Sequence, residues 1–284
     1  MGFKLNGTTF NEWDTIRFNS EKVKEIKINN NSVWKCVPDN MEDASWDLLS
    51  RLLKAGKFPY KRGDKKSFVL NGKTYHAMIA NVNTGTGDAA EYYPANTVDF
   101  ITDELYPVKT KFFTNPTYGD LPPKNYGFPN STARTFLQET IYPLIPADLK
   151  EHIIYKKHKY GCANWQVYSE WSQSGSTTWW IPYPAGIECQ DYLWLPTCYE
   201  MQGKNSQNPY VDNFENASNN IYYRRTNNKE GLDWWYATMW LDNYGEKKQY
   251  YTQYLTYASK TQGTQYGTYS STTEQYVPIC FRIG

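Results

Sequence analysis

No segment of this chain approaches the roughly 18 consecutive apolar residues of a membrane-spanning helix. Cysteine is sparse: five residues, Cys36, Cys162, Cys189, Cys198 and Cys280, odd in number and widely scattered. That excludes a disulfide framework and points to synthesis in a reducing cytoplasm. An excess of one charge is also missing, because 30 basic residues face 29 acidic ones. A net charge of +1 leaves no electrostatic footprint for nucleic acid. The three histidines, His76, His152 and His158, do not stand at ligand spacing with any cysteine pair, so no zinc site is expected. Glu200, Asp212, Glu215, Asp233 and Asp242 form no dense oxygen-ligand array of the kind calcium needs, so the expectation is no metal and no cofactor. Met1-Gly2-Phe3-Lys4-Leu5 lacks a basic segment followed by an apolar run, so no secretory leader is expected. A myristoylation-like start fails at Asn6. Work outside the cell would then require release by assembly or lysis.

What is present is aromatic. Phe, Trp and Tyr make up 17% of the chain, and 26 of its 37 Tyr and Trp residues lie from Tyr155 onward. The last forty-one residues, 244–284, hold eight Tyr, seven Thr, three Ser and five Gln. A disordered tail would be poor in rings. Tyr interleaved with small hydroxyl residues suits a recognition surface: large contact area at low entropic cost, with adaptable hydrogen bonding. The chain then closes on an apolar strand, Val277 to Ile283, which holds the polar run within a fold.

With 284 residues the chain can bury a substantial core. Val23 to Ile28 alternates apolar and charged with strand period. Asn29-Asn30-Asn31 supplies turn residues and Ser32-Val33-Trp34 resumes an apolar strand, which predicts a hairpin. Pro38-Asp39-Asn40 reads as a linker. Trp46, Leu48, Leu49, Leu52 and Leu53 fall at helical spacing, with Gly56 as the terminator. Lys66 to Ala80 predicts two short strands around Asn71-Gly72, and 81–90 a loop. Pro116 to Pro129 predicts another loop. Asn130 or Ser131 caps a helix ended by Pro143, and Pro146 starts a second one through Leu149. Short strands follow at 153–155, 179–181, 192–195, 234–241 and 276–283. Helices first and strands afterwards suggest an α+β fold.

Five ordered pieces carry a family resemblance: Leu52 to Lys57 with Arg62 to Lys65; Asn130 to Leu137; Ile145 to Lys150; Leu193 to Thr197; and Val277 to Ile283. Their order resembles a lectin-like domain family of gut-bacterial and phage proteins. The resemblance implies a C-type-lectin-like fold over 41–284: two short helices, a compact twisted sheet and long loops. Two departures stand out. Trp234-Trp235-Tyr236-Ala237-Thr238 occupies the place of an aromatic-Leu-Arg-Ser stretch, and Val277-Pro278 stands where the family often has Arg-Pro. Lys24 to Lys35 is similar to a hairpin common in phage tail and baseplate proteins, which implies a small β attachment unit over 1–40.

Together these resemblances imply a phage tail-tip or baseplate-associated adhesin, located in the virion and made in the host cytoplasm. It would bind other tail or baseplate proteins through 1–40 and recognise a host-surface polysaccharide, teichoic acid or glycoprotein without catalysis. A homotrimer is expected by analogy with tail fibres, and neither nucleic acid nor membrane as partner. The alternatives are a bacterial lectin-like interaction module and a structural tail joint without host contact. The candidate ligand-binding residues are Trp240, Asp242, Asn243, Tyr244, Tyr250, Tyr251, Tyr254, Tyr257, Gln265, Tyr266 and Tyr269, placed mainly on late loops between the 234–241 and 276–283 strands. Strand alternation would instead put Tyr250, Tyr254 or Tyr276 in the core. The Tyr/Ser/Thr bias also fits adenine-directed diversification of Asn codons, as in cassette-carrying phages. The related fold includes a formylglycine-making oxidase with a reactive Cys pair. Cys189 and Cys198 invite that comparison, but Glu188, Asp191 and Tyr199 around them would raise a thiol pKa. No catalytic residue is expected.

Overall fold

The computed structural model describes residues 31–86, 90–114, 128–160, 187–196, 234–244, 247–256, 265–270 and 273–284, residue 200, and short strand pieces within 3–28 and 172–180. The N-terminal strands pair two by two: β1 (Phe3–Leu5) with β2 (Thr8–Phe10), β3 (Arg17–Phe18) with β4 (Glu21–Lys22), and β5 (Glu25–Ile28) with β6 (Asn31–Lys35). The last pair is the hairpin read from the sequence, with Ile26 opposite Trp34.

Helix α1 (Trp46–Lys54) begins where Ser45 Oγ accepts the Leu48 N–H at 3.1 Å. It ends at Gly56, whose φ of +63° is open to glycine and strained for other residues. Its buried face, Trp46, Leu49, Leu52 and Leu53, lies on the sheet. The Trp46 ring meets Phe100 edge-on at 5.6 Å and Phe281 at 5.9 Å. Ser50 Oγ donates to the Gly284 carbonyl at 2.8 Å, so the helix also fastens the end of the closing strand.

β7 (Lys65–Leu70) and β8 (Lys73–Asn83) turn at Asn71 (φ +49°) and Gly72 (φ +75°), a conformation that Asn-Gly adopts readily. β8 is longer than the sequence suggests, because it runs three residues into the expected 81–90 loop. The reason is a buried amide chain. Arg62 Nη2 donates to Asn81 Oδ1 (2.8 Å), Asn81 to Asn83 (2.5 Å), and Asn83 to Thr97 Oγ1 (2.8 Å). These bonds satisfy polar groups that would otherwise keep the segment in water.

β9 (Thr97–Lys111) is a strand that the sequence pattern does not announce. It pairs β8 on one side and the closing strand on the other. Its exposed stretch Pro107–Lys109 falls at a register shift, where a proline costs no ladder bond. Next come α2 (Thr132–Thr135), capped by Ser131 Oγ on the Arg134 N–H (3.0 Å), a π-helical turn over Phe136–Ile141 and a 3-10 turn over Tyr142–Leu144. α3 (Ala147–Lys150) follows Pro146. Beyond it lie β10 (Ile153–Ile154), β11 (Lys156–Tyr160), β12 (Ser172–Ser174), β13 (Thr178–Trp180), β14 (Ile187–Asp191) and β15 (Leu193–Trp194). The last four are β16 (Trp234–Tyr244), β17 (Lys247–Thr256), β18 (Gln265–Ser270) and β19 (Glu274–Ile283).

The fold is mixed α+β, with a curled antiparallel sheet and few short helices. The sheet runs β18-β17-β16-β19-β9-β8-β7, and the short strands β10 and β15 also pair β19. Helices therefore do not precede the strands, as the sequence order suggested: β7, β8 and β9 come before α2 and share the sheet with β19. β19 is its spine. It lies along β9 with Phe281 opposite Phe100 and Ile283 opposite Val98. It also meets Ile153 of β10, Leu193 and Trp194 of β15, and Trp234 of β16, this last in parallel. Pro278 brings a register shift into it, and Thr102 Oγ1 accepts the neighbouring Ile279 N–H at 3.0 Å. The stacked Phe100–Phe281 pair (5.1 Å, 17°) marks the middle of the core.

Candidate functional site

β16, β17 and β18 extend the sheet beyond β19 as a three-stranded ribbon. Its root is packed. Trp234 and Trp235 are fully buried, and the Trp235 indole N–H donates to the Thr110 carbonyl at 2.8 Å. Phe112 meets the Trp235 ring edge-on at 5.7 Å. The Ala237 N–H donates to the Pro196 carbonyl at 2.9 Å, and a register shift follows before Met239. The aromatic stretch Trp234–Tyr236 thus begins as core and passes into the ribbon.

Ten of the eleven residues expected to bind ligand fall on these three strands. The register sets Trp240 opposite Tyr251, and Tyr251 opposite Ser270. It sets Asp242 opposite Gln249, Asn243 opposite Lys248 and Tyr244 opposite Lys247. Tyr250 faces Leu241, Tyr254 lies between Trp235 and Gly267, Tyr266 faces Leu255, Tyr269 faces Thr252 and Gln265 faces Thr256. Tyr257 lies outside the described residues. The expectation of long loops between 241 and 276 is corrected over 242–244, 247–256 and 265–270, which are paired strands. Tyr and Thr favour a pleated surface, and pairing satisfies every ladder N–H and C=O that a loop would leave to water. Neighbouring strands sit about 4.8 Å apart, so partners in register form continuous rows across the ribbon.

A second cluster, not visible in the sequence, lies beneath the sheet. Asp99 on β9 accepts from Arg282 on β19 through two oxygens, Nε to Oδ1 at 2.5 Å and Nη2 to Oδ2 at 2.9 Å. Lys156 on β11 stands 3.3 Å from Asp99 Oδ2 and 2.7 Å from Glu200 Oε1. Tyr93 donates its hydroxyl to the same Glu200 oxygen at 2.7 Å. The Lys156 ammonium also sits over the Tyr93 and Trp194 rings, at 4.5 and 4.6 Å. Among the described residues, two carboxylates and two cations balance one another, as buried charge requires. Burial would raise the Asp99 carboxyl, but Arg282 and Lys156 outweigh it and hold it below the usual range. Burial, then the nearby Glu200 and Asp99 charges, push the Tyr93 phenol well above its ordinary value. Burial, then the Lys156 and Arg282 charges, push His158 well below its own, so its imidazole is neutral. The cluster joins β9, β11, β19 and residue 200 without reaching solvent, and serves as a fastening.

Cys189 lies 3.1 Å from Asp191 Oδ2, and burial followed by the Asp191 charge pushes its thiol up, away from the nucleophilic thiolate. Asp191 also accepts from Arg134 Nε at 2.7 Å, which ties α2 to β14. Cys198 lies outside the described residues. Glu200, one of the acidic residues weighed for calcium, is occupied by Lys156 and Tyr93. Among the described residues no group of three His, Cys, Asp or Glu side chains is arranged to hold a metal ion. Comparison with protein-family models, curated proteins and solved structures gave no significant match to the chain.

Proposed function

We propose that the chain is a phage tail-tip or baseplate-associated adhesin with a C-type-lectin-like head over 41–284. It binds a host-surface glycan or glycoprotein non-covalently through the β16–β18 ribbon. Residues 1–40 form the attachment unit for neighbouring tail proteins, and the working form is a homotrimer in the virion. The observation that carries the reading is the ribbon register: Trp240, Tyr251 and Ser270 share one row, with Asp242 and Gln249 in the next row of the same face, on strands rooted by Trp234 and Trp235. Such rows offer flat rings for a sugar's apolar face and hydrogen-bonding groups at its edge. The mixed fold with a curled antiparallel sheet is compatible with a lectin-like head, and the β5–β6 hairpin with a tail-type attachment unit.

Mass spectrometry of purified particles tests the setting. The chain is expected at a fixed stoichiometry, in multiples of three per tail. Its absence from particles that still infect would remove the virion role and leave a bacterial lectin-like module. Particles that contain the chain but adsorb normally when the ribbon is altered would assign it to a structural joint.

A further inference from the structure

A second aromatic surface forms where Tyr155 precedes β11, Tyr192 follows β14 and Tyr142 opens the 3-10 turn. Tyr142, Tyr192 and Tyr155 form a three-ring stack. Tyr142 and Tyr192 are 4.5 Å apart and nearly parallel (4°), and Tyr192 and Tyr155 are 3.8 Å apart at 24°. Two rings this close to one centroid cannot share a face, so Tyr192 is sandwiched. The far end of the stack is covered, because the Lys150 ammonium sits 4.6 Å from the Tyr142 centroid. The near end is open: Tyr155 is 53% exposed, one of the few large apolar side chains left in water among the described residues. The neighbouring Tyr155 hydroxyl, then burial, push the Tyr192 phenol up to about 12. An exposed ring held this firmly loses little freedom on binding.

The surroundings select a ligand. Alternation along β11 turns Lys156 and His158 inward and leaves Lys157 on the side of Tyr155, opposite Gln190. The Lys157 ammonium is held by Glu91 (3.3 Å) and Glu188 (3.4 Å). Among the described side chains, the rim beside the ring therefore has one cation against two carboxylates, with the exposed Gln190 amide. A phosphate-bearing polymer would be repelled there, and an apolar protein or lipid surface would strand those charges without water. An uncharged sugar matches both parts, with its C–H face on the ring and its hydroxyls on the amide and carboxylates.

We propose that the outer face of Tyr155, braced by Tyr192 and Tyr142, is a stacking platform for one pyranose ring of an uncharged glycan. This deepens the adhesin reading and rests on it for biological setting. It adds a second contact outside the ribbon and narrows the ligand class from wall polymers in general to neutral saccharide.

The test is calorimetric titration of the full chain and its Tyr155→Ala and Tyr155→Phe variants. The probes are oligomers of glucose, galactose, rhamnose and N-acetylglucosamine, with a glycerol-phosphate oligomer as the anionic probe. At least one neutral oligomer is expected to bind. Tyr155→Ala should weaken it about tenfold and Tyr155→Phe, which keeps the ring, by less than about threefold. Melting curves check that both variants are folded. Failure of every neutral oligomer to bind the native chain, equal binding by Tyr155→Ala, or Tyr155-dependent binding of glycerol phosphate would each overturn the platform. Staining of host cells is measured alongside. Staining that survives while the neutral oligomers fail would refute the platform and leave the adhesin standing. Oligomer binding without cell staining would refute the adhesin and leave the platform.

Discussion

Replacing Asp99 with Asn preserves shape and removes one charge from a cluster closed to water. Arg282 then keeps its guanidinium at 1% exposure without the bidentate carboxylate at 2.5 and 2.9 Å, while Lys156 keeps Glu200 at 2.7 Å. Stranding a buried charge in this way costs about 3–5 kcal/mol. For a chain of this size roughly 2 °C is lost per kcal/mol, so the melting temperature should fall by roughly 6–10 °C at pH 7. Calorimetry measures the drop. The double variant Asp99→Asn, Arg282→Met should lose less than the sum of the singles, because it no longer strands a guanidinium. The pH dependence has a fixed sign. The folded Asp99 pKa is depressed, so its contribution is complete above the unfolded value of about 3.9 and is lost as pH falls through the folded value. The variant should therefore be flatter than the native chain at the acid end. A drop below about 1 °C, with additive singles, would refute the view that the cluster fastens β9 to β19 in a water-excluding site.

Gly56→Ala should cost about 1 kcal/mol in urea unfolding, since φ is +63° while the nearest atom to an added Cβ is 3.9 Å away, so backbone strain acts alone. Trp235→Phe keeps a ring against Phe112 but leaves the Thr110 carbonyl unpaired; it should cost about 1–3 kcal/mol and speed amide exchange in β16 before other strands. His158 is buried neutral with a depressed pKa, so the unfolded chain binds the extra proton. Stability should fall as pH drops below about 6.5, and His158→Gln should remove that part of the slope in urea midpoints compared at pH 7 and 5.

Local signals were legible wherever a few adjacent residues decide the backbone. Ser45 and Gly56 bracket α1, Asn71-Gly72 turns β7 into β8, and Ser131 caps α2. Long-range chemistry was not. Thr97 to Thr102 is buried at every position, because β9 is covered on both faces, so the alternation that betrays a strand is absent. Asp99 looks like a surface residue until Arg282, 183 positions later, is seen to meet it. β17 and β18 resemble loops in the sequence because their Tyr, Thr and Gln are polar at the tip, although Tyr and Thr are strand formers. The stack of Tyr142, Tyr155 and Tyr192 has no sequence signal, since its rings come from three separate segments of the chain.

The most direct measurement of the central claim is binding of the labelled full chain to host and non-host cells, with and without chelator, beside a Trp240→Ala, Tyr251→Ala variant altered at one ribbon row. Host-selective staining that is indifferent to chelator and reduced at least about fivefold in the variant is expected, since two aromatic contacts are worth about 1–3 kcal/mol together. Equal staining of host and non-host cells, or unchanged staining by the variant, would contradict recognition through the ribbon.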